Sequence, residues 1–331
     1  MMPASFCPQR RVRISDRQAA PSMYIDSMDF AQCIQAAVAP IIADGAIGTE
    51  LIRRLEPTAT AWRGCSPCCE LLNKTAAQLV MNVHRDYLNA GASVLTTNTF
   101  CGSEPMLRRY GLEQSFVELN RRGVELARDT RLEHSADDRA WIAGSVGPIM
   151  GIPAAVDFES AYARQVEVLL QSGVDLLVFE TFPSPDSLRP ALSGLFHAAG
   201  KTSKVPIVLL FSPTADEDFL DASAWRRLKE LLSDRENTVV GANCGTGPLP
   251  LEEALREISG QFDGPLALSP SAGLPTTEAG RTVYPKSPST FFTEIDRLCQ
   301  SYRILLAGGC CGTTPAHIAA LTALRRSDTV V

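Results

Sequence analysis

Three cysteines carry the clearest chemistry in this chain: Cys244, followed by Gly245, and the adjacent pair Cys310 and Cys311, framed by Gly308, Gly309 and Gly312. Thiolates bind Zn2+ at about 2.3 Å, and three protein ligands leave a fourth tetrahedral position open, the arrangement of a catalytic site. The glycines let the backbone bend tightly enough for neighbouring cysteines to share one ion. Other readings stay open at this level. A vicinal pair can be two buried apolar thiols or a redox-active disulfide, and a lone cysteine at a strand end is commonly core. A second group, Cys65, Cys68 and Cys69, has C-x-x-C spacing, but no second pair follows at zinc-knuckle distance, so it also reads as loop and helix packing.

Two carboxylates form the next set. Glu180 ends the run Leu176-Leu177-Val178-Phe179, and Asp44 follows Ile41-Ile42-Ala43. A carboxylate in such company is costly without a positive partner. A substrate ammonium would serve, with an internal arginine as the alternative for Glu180 and a turn-forming role as the alternative for Asp44. The four histidines, His84, His134, His197 and His317, fall in helical stretches or a loop away from strand ends, and none reads as catalytic.

Positioning these residues requires a scaffold, and the sequence alternates short apolar runs with longer amphipathic ones. The runs Ile41–Ala43, Val94–Thr97, Trp141–Ser145, Leu176–Glu180, Ile207–Phe211, Val239–Asn243, Leu266–Ser269 and Ile304–Ala307 read as buried parallel strands. Helical patterns cover 75–90, 114–131, 159–172, 187–199, 222–232, 251–261, 288–301 and 315–324. Strict alternation predicts an α/β fold, a (β/α)8 TIM barrel in one domain with an N-terminal extension. A doubly wound open sheet is the rival, but Asp44–Thr49 lacks its G-x-G-x-x-G fingerprint. Residues 1–39 read as a tail and a short helix, with Phe30, Ile34 and Val38 at helical spacing to plug the barrel bottom. Residues 40–325 read as the barrel and 326–331 as a C-terminal tail. In a barrel all strand C-termini meet at one rim. Asp44-Gly45, Thr97-Asn98-Thr99, Glu180-Thr181, Asn243-Cys244-Gly245 and Gly308–Gly312 therefore become neighbours.

Composition bounds the partners. The 331 residues are 45% hydrophobic with a net charge of −6, which argues against a nucleic-acid or anionic membrane partner. No apolar run approaches the roughly 20 residues that span a bilayer. Ten cysteines without a secretory h-region point to a reducing, cytoplasmic setting. Arg10, Arg11, Arg13 and Arg17 in the first 22 residues leave a tail or a targeting segment open.

Several segments carry a family resemblance: Asp44-Gly45-Ala46-Ile47-Gly48-Thr49, Thr97-Asn98-Thr99-Phe100, Gly241-Ala242-Asn243-Cys244 and Gly308-Gly309-Cys310-Cys311-Gly312-Thr313-Thr314-Pro315. They resemble the zinc-dependent homocysteine S-methyltransferases, over about residues 40–325. Phe179-Glu180-Thr181-Phe182 and Ala272-Gly273-Leu274-Pro275 are similar to the homocysteine module of cobalamin-dependent methionine synthase in particular.

The resemblance implies Cys244, Cys310 and Cys311 as zinc ligands, with the sulfur of homocysteine in the fourth position. It implies Glu180 at the substrate amino group, Asp44 and Gly45 at its amino-acid end, and Asn98 shaping the pocket. Ser271 departs from the synthase module, which has Asn there. The implied reaction is methyl transfer to homocysteine, giving methionine; another small thiol or selenol would serve the same chemistry. No cobalamin- or folate-binding unit is expected in this length, so the donor is expected separately. The synthase-like segments favour a methylated corrinoid protein over S-methylmethionine, S-adenosylmethionine or betaine. The alternative is a thiol-binding or redox-active vicinal-cysteine protein without methyl transfer.

Overall fold

The short apolar runs become strands buried on both faces, since a parallel sheet covered by helices has no solvent side. Every residue of Trp141–Val146 and of Ile207–Phe211 is buried. The computed structural model describes residues 28–36, 40–56, 58–134, 140–152, 156–201, 203–213, 219–278 and 280–324. The expectations for residues 1–22, for Val38 and for 326–331 lie outside these residues, as does Cys7.

In chain order the elements are α1 (Phe30–Ala36), β1 (Ile41–Ile42), α2 (Ile47–Arg54), α3 (Leu72–Thr75), α4 (Ala77–Asn89), β2 (Val94–Thr96), α5 (Glu104–Arg108) and α6 (Phe116–His134). There follow β3 (Trp141–Val146), α7 (Phe158–Gln171), β4 (Leu176–Phe182), α8 (Pro185–Ala199), β5 (Ile207–Phe211), α9 (Ala222–Leu232), β6 (Thr238–Cys244) and α10 (Glu252–Gln261). The chain continues through β7 (Leu266–Pro270), the hairpin β8 (Thr276–Glu278) and β9 (Arg281–Val283), α11 (Pro288–Ser301), β10 (Ile304–Ala307) and α12 (Pro315–Leu321).

Eight strands pair in parallel in the order β1-β10-β7-β6-β5-β4-β3-β2. A parallel bridge between Ala43 and Val94 then joins the two outermost strands. The sheet is thus a closed (β/α)8 barrel, and the open doubly wound sheet is excluded. Val178, Val208, Leu210, Ala267 and Leu305 fill the inside with Phe30, Cys33 and Ile34 of α1. The Phe30 ring meets Trp141, the first residue of β3, edge-on at 5.6 Å, which places α1 across the N-terminal end of the barrel.

Four features depart from the sequence reading: α2, α3, α5 and the β8–β9 hairpin sit where only loops are expected. Each is short. α2 draws on local chemistry, with buried Glu50 accepting from Arg53 at 2.7 Å and from Arg54 at 2.8 Å, one turn along. His317 also departs. It lies in the first turn of α12 beside the rim, where Nδ1 accepts from the Thr314 N–H at 3.2 Å and Nε2 meets the Lys286 carbonyl at 2.9 Å. Its work there is capping. Among the described residues no helix is long and apolar enough to cross a membrane.

His84 of α4 is fully buried, and among the described residues neither ring nitrogen has a hydrogen-bond partner. Burial alone pushes its pKa down from 6.5 to about 4. The unfolded chain therefore takes up a proton below pH 6.5 that the folded chain refuses until about pH 4. Stability should fall across that window by about 1.4 kcal/mol per pH unit from this group. Urea unfolding from pH 7 to 4.5 should show that slope reduced in His84→Leu.

Candidate metal centre and substrate pocket

Cys244 closes β6 and turns the chain with φ +61°, while Cys310 and Cys311 follow β10 directly. The loop carrying the pair is pinned from two sides. The N–H of Gly309 donates to the Asp44 carbonyl at 3.0 Å, and that of Cys310 to the Pro270 carbonyl at 2.8 Å. The Ala272 N–H reaches the Cys311 carbonyl at 2.9 Å, and the Thr313 hydroxyl reaches that of Cys310 at 2.7 Å.

The result is a triangle of sulfurs. Cys244 Sγ lies 3.8 Å from Cys311 Sγ, and Cys310 Sγ lies 4.0 Å from Cys311 Sγ. All three fall within 4.8 Å of one another, and no other His, Cys, Asp or Glu group among the described residues gathers this way. Metal–sulfur bonds of about 2.3 Å at tetrahedral angles put sulfurs about 3.8 Å apart. The donor set therefore fits a tetrahedral thiophilic ion. Without one, hydrogen bonds from Cys310 and Cys311 hold the Cys244 thiol far below its ordinary pKa, while those of Cys310 and Cys311 are pushed up.

The two carboxylates face the same rim. Asp44 is buried and accepts from the Thr96 N–H at 2.7 Å and the Thr96 hydroxyl at 2.8 Å. Glu180 accepts from the Ser145 hydroxyl at 2.5 Å, and part of its surface stays exposed. Burial pushes Asp44 up to about 8, with Glu180 adding to the rise, and Glu180 up to about 7, with Cys244 adding. Among the described residues neither forms an ion pair, so the internal arginine considered for Glu180 is not found. Such a place calls for a positive guest.

The remaining expected residues sit nearby. A side chain at Gly45 would lie 2.7 Å from the Thr313 hydroxyl and 2.8 Å from that of Tyr87, so only glycine allows this packing. Asn98 is buried and donates both amide hydrogens inward, to the Cys69 carbonyl at 2.7 Å and to Asn73 Oδ1 at 2.8 Å. It ties the end of β2 to the segment before α3. Cys68 packs with Leu71, Leu107, Phe116 and Leu119, and burial beside Glu70 pushes its thiol up to about 12. Cys69 donates to the Gly48 carbonyl at 3.8 Å and Cys65 to that of Tyr110 at 3.7 Å. This group is packing.

Sequence reasoning did not single out Thr96, Ser145, Asn243 or Tyr284. Asn243 accepts from the Thr181 N–H at 3.0 Å and donates to its hydroxyl at 2.9 Å, holding Thr181 at φ +68°. The signal was position, since Thr96, Ser145 and Asn243 stand at or near strand ends, and for Asn243 also its place in the Gly241–Cys244 segment.

Residues 41–324 match the homocysteine S-methyltransferase family. Over 285 residues the chain is 30% identical to the methionine synthases of Mycobacterium tuberculosis and Mycobacterium leprae, covering 84% of this chain and 24% of theirs. It spans about a quarter of the length of these relatives. Among solved structures, the metallated form of the homocysteine methyltransferase MmuM from Escherichia coli matches with a TM-score of 0.65 at 25% identity, covering 91% of this chain and 98% of that one. Its oxidized form matches with a TM-score of 0.69 at 26% identity, covering 89% and 99%.

A raised carboxyl pKa has a measurable cost. The unfolded chain ionises Glu180 near pH 4.5 and the folded chain resists until about 7, so the penalty grows between those values and is constant above. Glu180→Gln should therefore stabilise the ligand-free protein at pH 8 by up to about 3 kcal/mol. Thermal unfolding should show the gain vanishing at pH 4.5. Equal stability at both pH values would mean that the carboxylate is internally compensated.

Proposed function

This chain belongs to the homocysteine S-methyltransferase family, and we propose that it transfers a methyl group from a separate donor to the sulfur of homocysteine, giving methionine. Cys244, Cys310 and Cys311 would hold a zinc ion with the substrate sulfur beside them. The observation that carries this reading is the sulfur spacing of 3.8 and 4.0 Å, which matches a tetrahedral thiolate site.

When bound, the ion supplies ionisation: a free thiol has a pKa near 8.5, and a coordinated one is a thiolate at neutral pH. Three cysteine thiolates leave the centre with net negative charge, so the fourth sulfur stays electron-rich. The chain's own residues do the rest. Glu180, oriented by Ser145, receives the substrate ammonium, and Asp44, held by Thr96, contacts the amino-acid end. Gly45 keeps the backbone bare at the amino-acid end, and Asn98 shapes the wall through Asn73 and Cys69.

The substrate sulfur then forms its bond to the methyl carbon as the donor–methyl bond breaks, the donor leaving with that bond's electrons. The thiol proton has already left to solvent on binding. No oxyanion develops, so no general acid is obligatory. The synthase-like segments around Glu180 and Ala272 support a methylated corrinoid protein as the donor.

Purified protein should carry about one zinc ion per chain. Cys310→Ala or Cys311→Ala should lose most of it, whereas Cys68→Ala should keep it. Elemental analysis under reducing conditions decides, and zinc retained by both rim variants would favour the redox reading of the vicinal pair.

Homocysteine binding should also release close to one proton per site at pH 7, with release fading above about pH 8.5 as the free thiol ionises by itself. Calorimetry in buffers of different ionisation enthalpy measures it. Binding without release would mean that the sulfur does not reach the metal.

A further inference from the structure

Two sulfurs of the cluster are each met by a polar hydrogen from a different side chain. The Ser271 hydroxyl lies 3.5 Å from Cys244 Sγ, and the Asn243 amide nitrogen lies 3.9 Å from Cys310 Sγ. Tyr284 stands beside Cys311.

The geometry of each donor is fixed by other contacts. Asn243 is fully buried, and its Oδ1 is occupied by the Thr181 N–H. Turning the amide over would set a carbonyl oxygen against Cys310 and an N–H against an N–H, so the donor must face the sulfur. Ser271 is buried, with its own N–H donating to the Cys244 carbonyl at 2.9 Å. The Tyr284 ring lies flush on Gly312, where an added Cβ would come within 1.9 Å of the ring's Cγ. Only a glycine at 312 admits that ring so close to the metal loop.

We propose that Ser271 and Asn243, which donate to Cys244 and Cys310, and Tyr284, whose ring on Gly312 sets it beside Cys311, form a donor set that lowers the nucleophilicity of the three cysteines relative to the substrate thiol. The inference rests on the three-cysteine metal reading above. A centre holding four thiolates presents four sulfurs to any methyl donor, and three of them belong to the protein. A hydrogen bond to a thiolate draws charge from the attacking lone pair. Donors on the cysteines alone would direct the methyl group to the substrate and guard the protein against methylating itself. The three are positioning residues, acting through the cysteines.

Methyl iodide is the probe, since it reaches any exposed sulfur: the thiolate forms a carbon–sulfur bond and iodide leaves with the electron pair. Zinc-loaded wild type, Ser271→Ala and Tyr284→Phe would be treated alike and the cysteines mapped by peptide mass spectrometry. Tyr284→Phe keeps the ring on Gly312, and Ser271→Thr should restore the wild-type pattern. The expected result is residue-matched: faster methylation of Cys311 in Tyr284→Phe and of Cys244 in Ser271→Ala, each about tenfold. The cobalt forms should keep their thiolate charge-transfer band, moved to longer wavelength as the sulfurs become better donors.

A normal cobalt band in all forms, with methylation unchanged or raised equally at all three cysteines, would overturn the donor set alone. A wild-type cobalt form without any thiolate band would overturn the metal reading, and this proposal with it.

Discussion

The rim exists because the first strand meets the second. Ser93 donates to Ile42 at 2.7 Å and Asp44 to Val94 at 3.0 Å, and these two backbone bonds flank the Ala43–Val94 bridge that closes the barrel. Closure puts Asp44 within reach of Thr96 and lets its carbonyl pin Gly309, which in turn positions the cysteine pair. Residues 244 and 310 are distant in sequence, and nothing local brings them together. An open sheet would leave the β1 and β2 edges apart, and with them the two halves of the site.

The site is dominated by groups of one sign. Two carboxylates and three thiols gather at the rim, and among the described residues no lysine or arginine pairs with Asp44 or Glu180. Burial raises the pKa of both carboxylates, which limits their mutual repulsion in the ligand-free protein. Two positive guests would relieve it: a divalent ion for the sulfurs and an ammonium for the carboxylates. Recognition and stability are thus opposed here, since the groups suited to a guest are those that cost most in its absence.

Much of this was legible in the sequence, for physical reasons. A buried parallel strand is apolar along its whole length, so Ile207–Phe211 and Ile304–Ala307 match observed strands end to end. Cysteines framed by glycine announce metal chemistry by their type, and Glu180 does so by standing against its surroundings. The helices α2, α3 and α5 and the β8–β9 hairpin were not legible, because elements of three to eight residues carry too little periodicity. Nor were Ser145, Asn243 and Tyr284. A serine, an amide or a tyrosine takes its meaning from the partner that tertiary structure selects. For Asn98 the resemblance implied a place in the pocket wall, but that its amide hydrogens tie β2 to Cys69 and Asn73 could be read only from the tertiary structure.

Thr181 and Cys244 both occupy left-handed backbone, at φ +68° and +61°, where glycine would rest more easily. Neither can become glycine without loss, since Thr181 anchors the Asn243 amide and Cys244 contributes a sulfur. Substitutions selected only for heat resistance would converge on these two positions and disarm the protein as they hardened it. Tolerance maps of this barrel should therefore separate at residues 181 and 244, permissive when survival of the fold is scored and closed when turnover is scored.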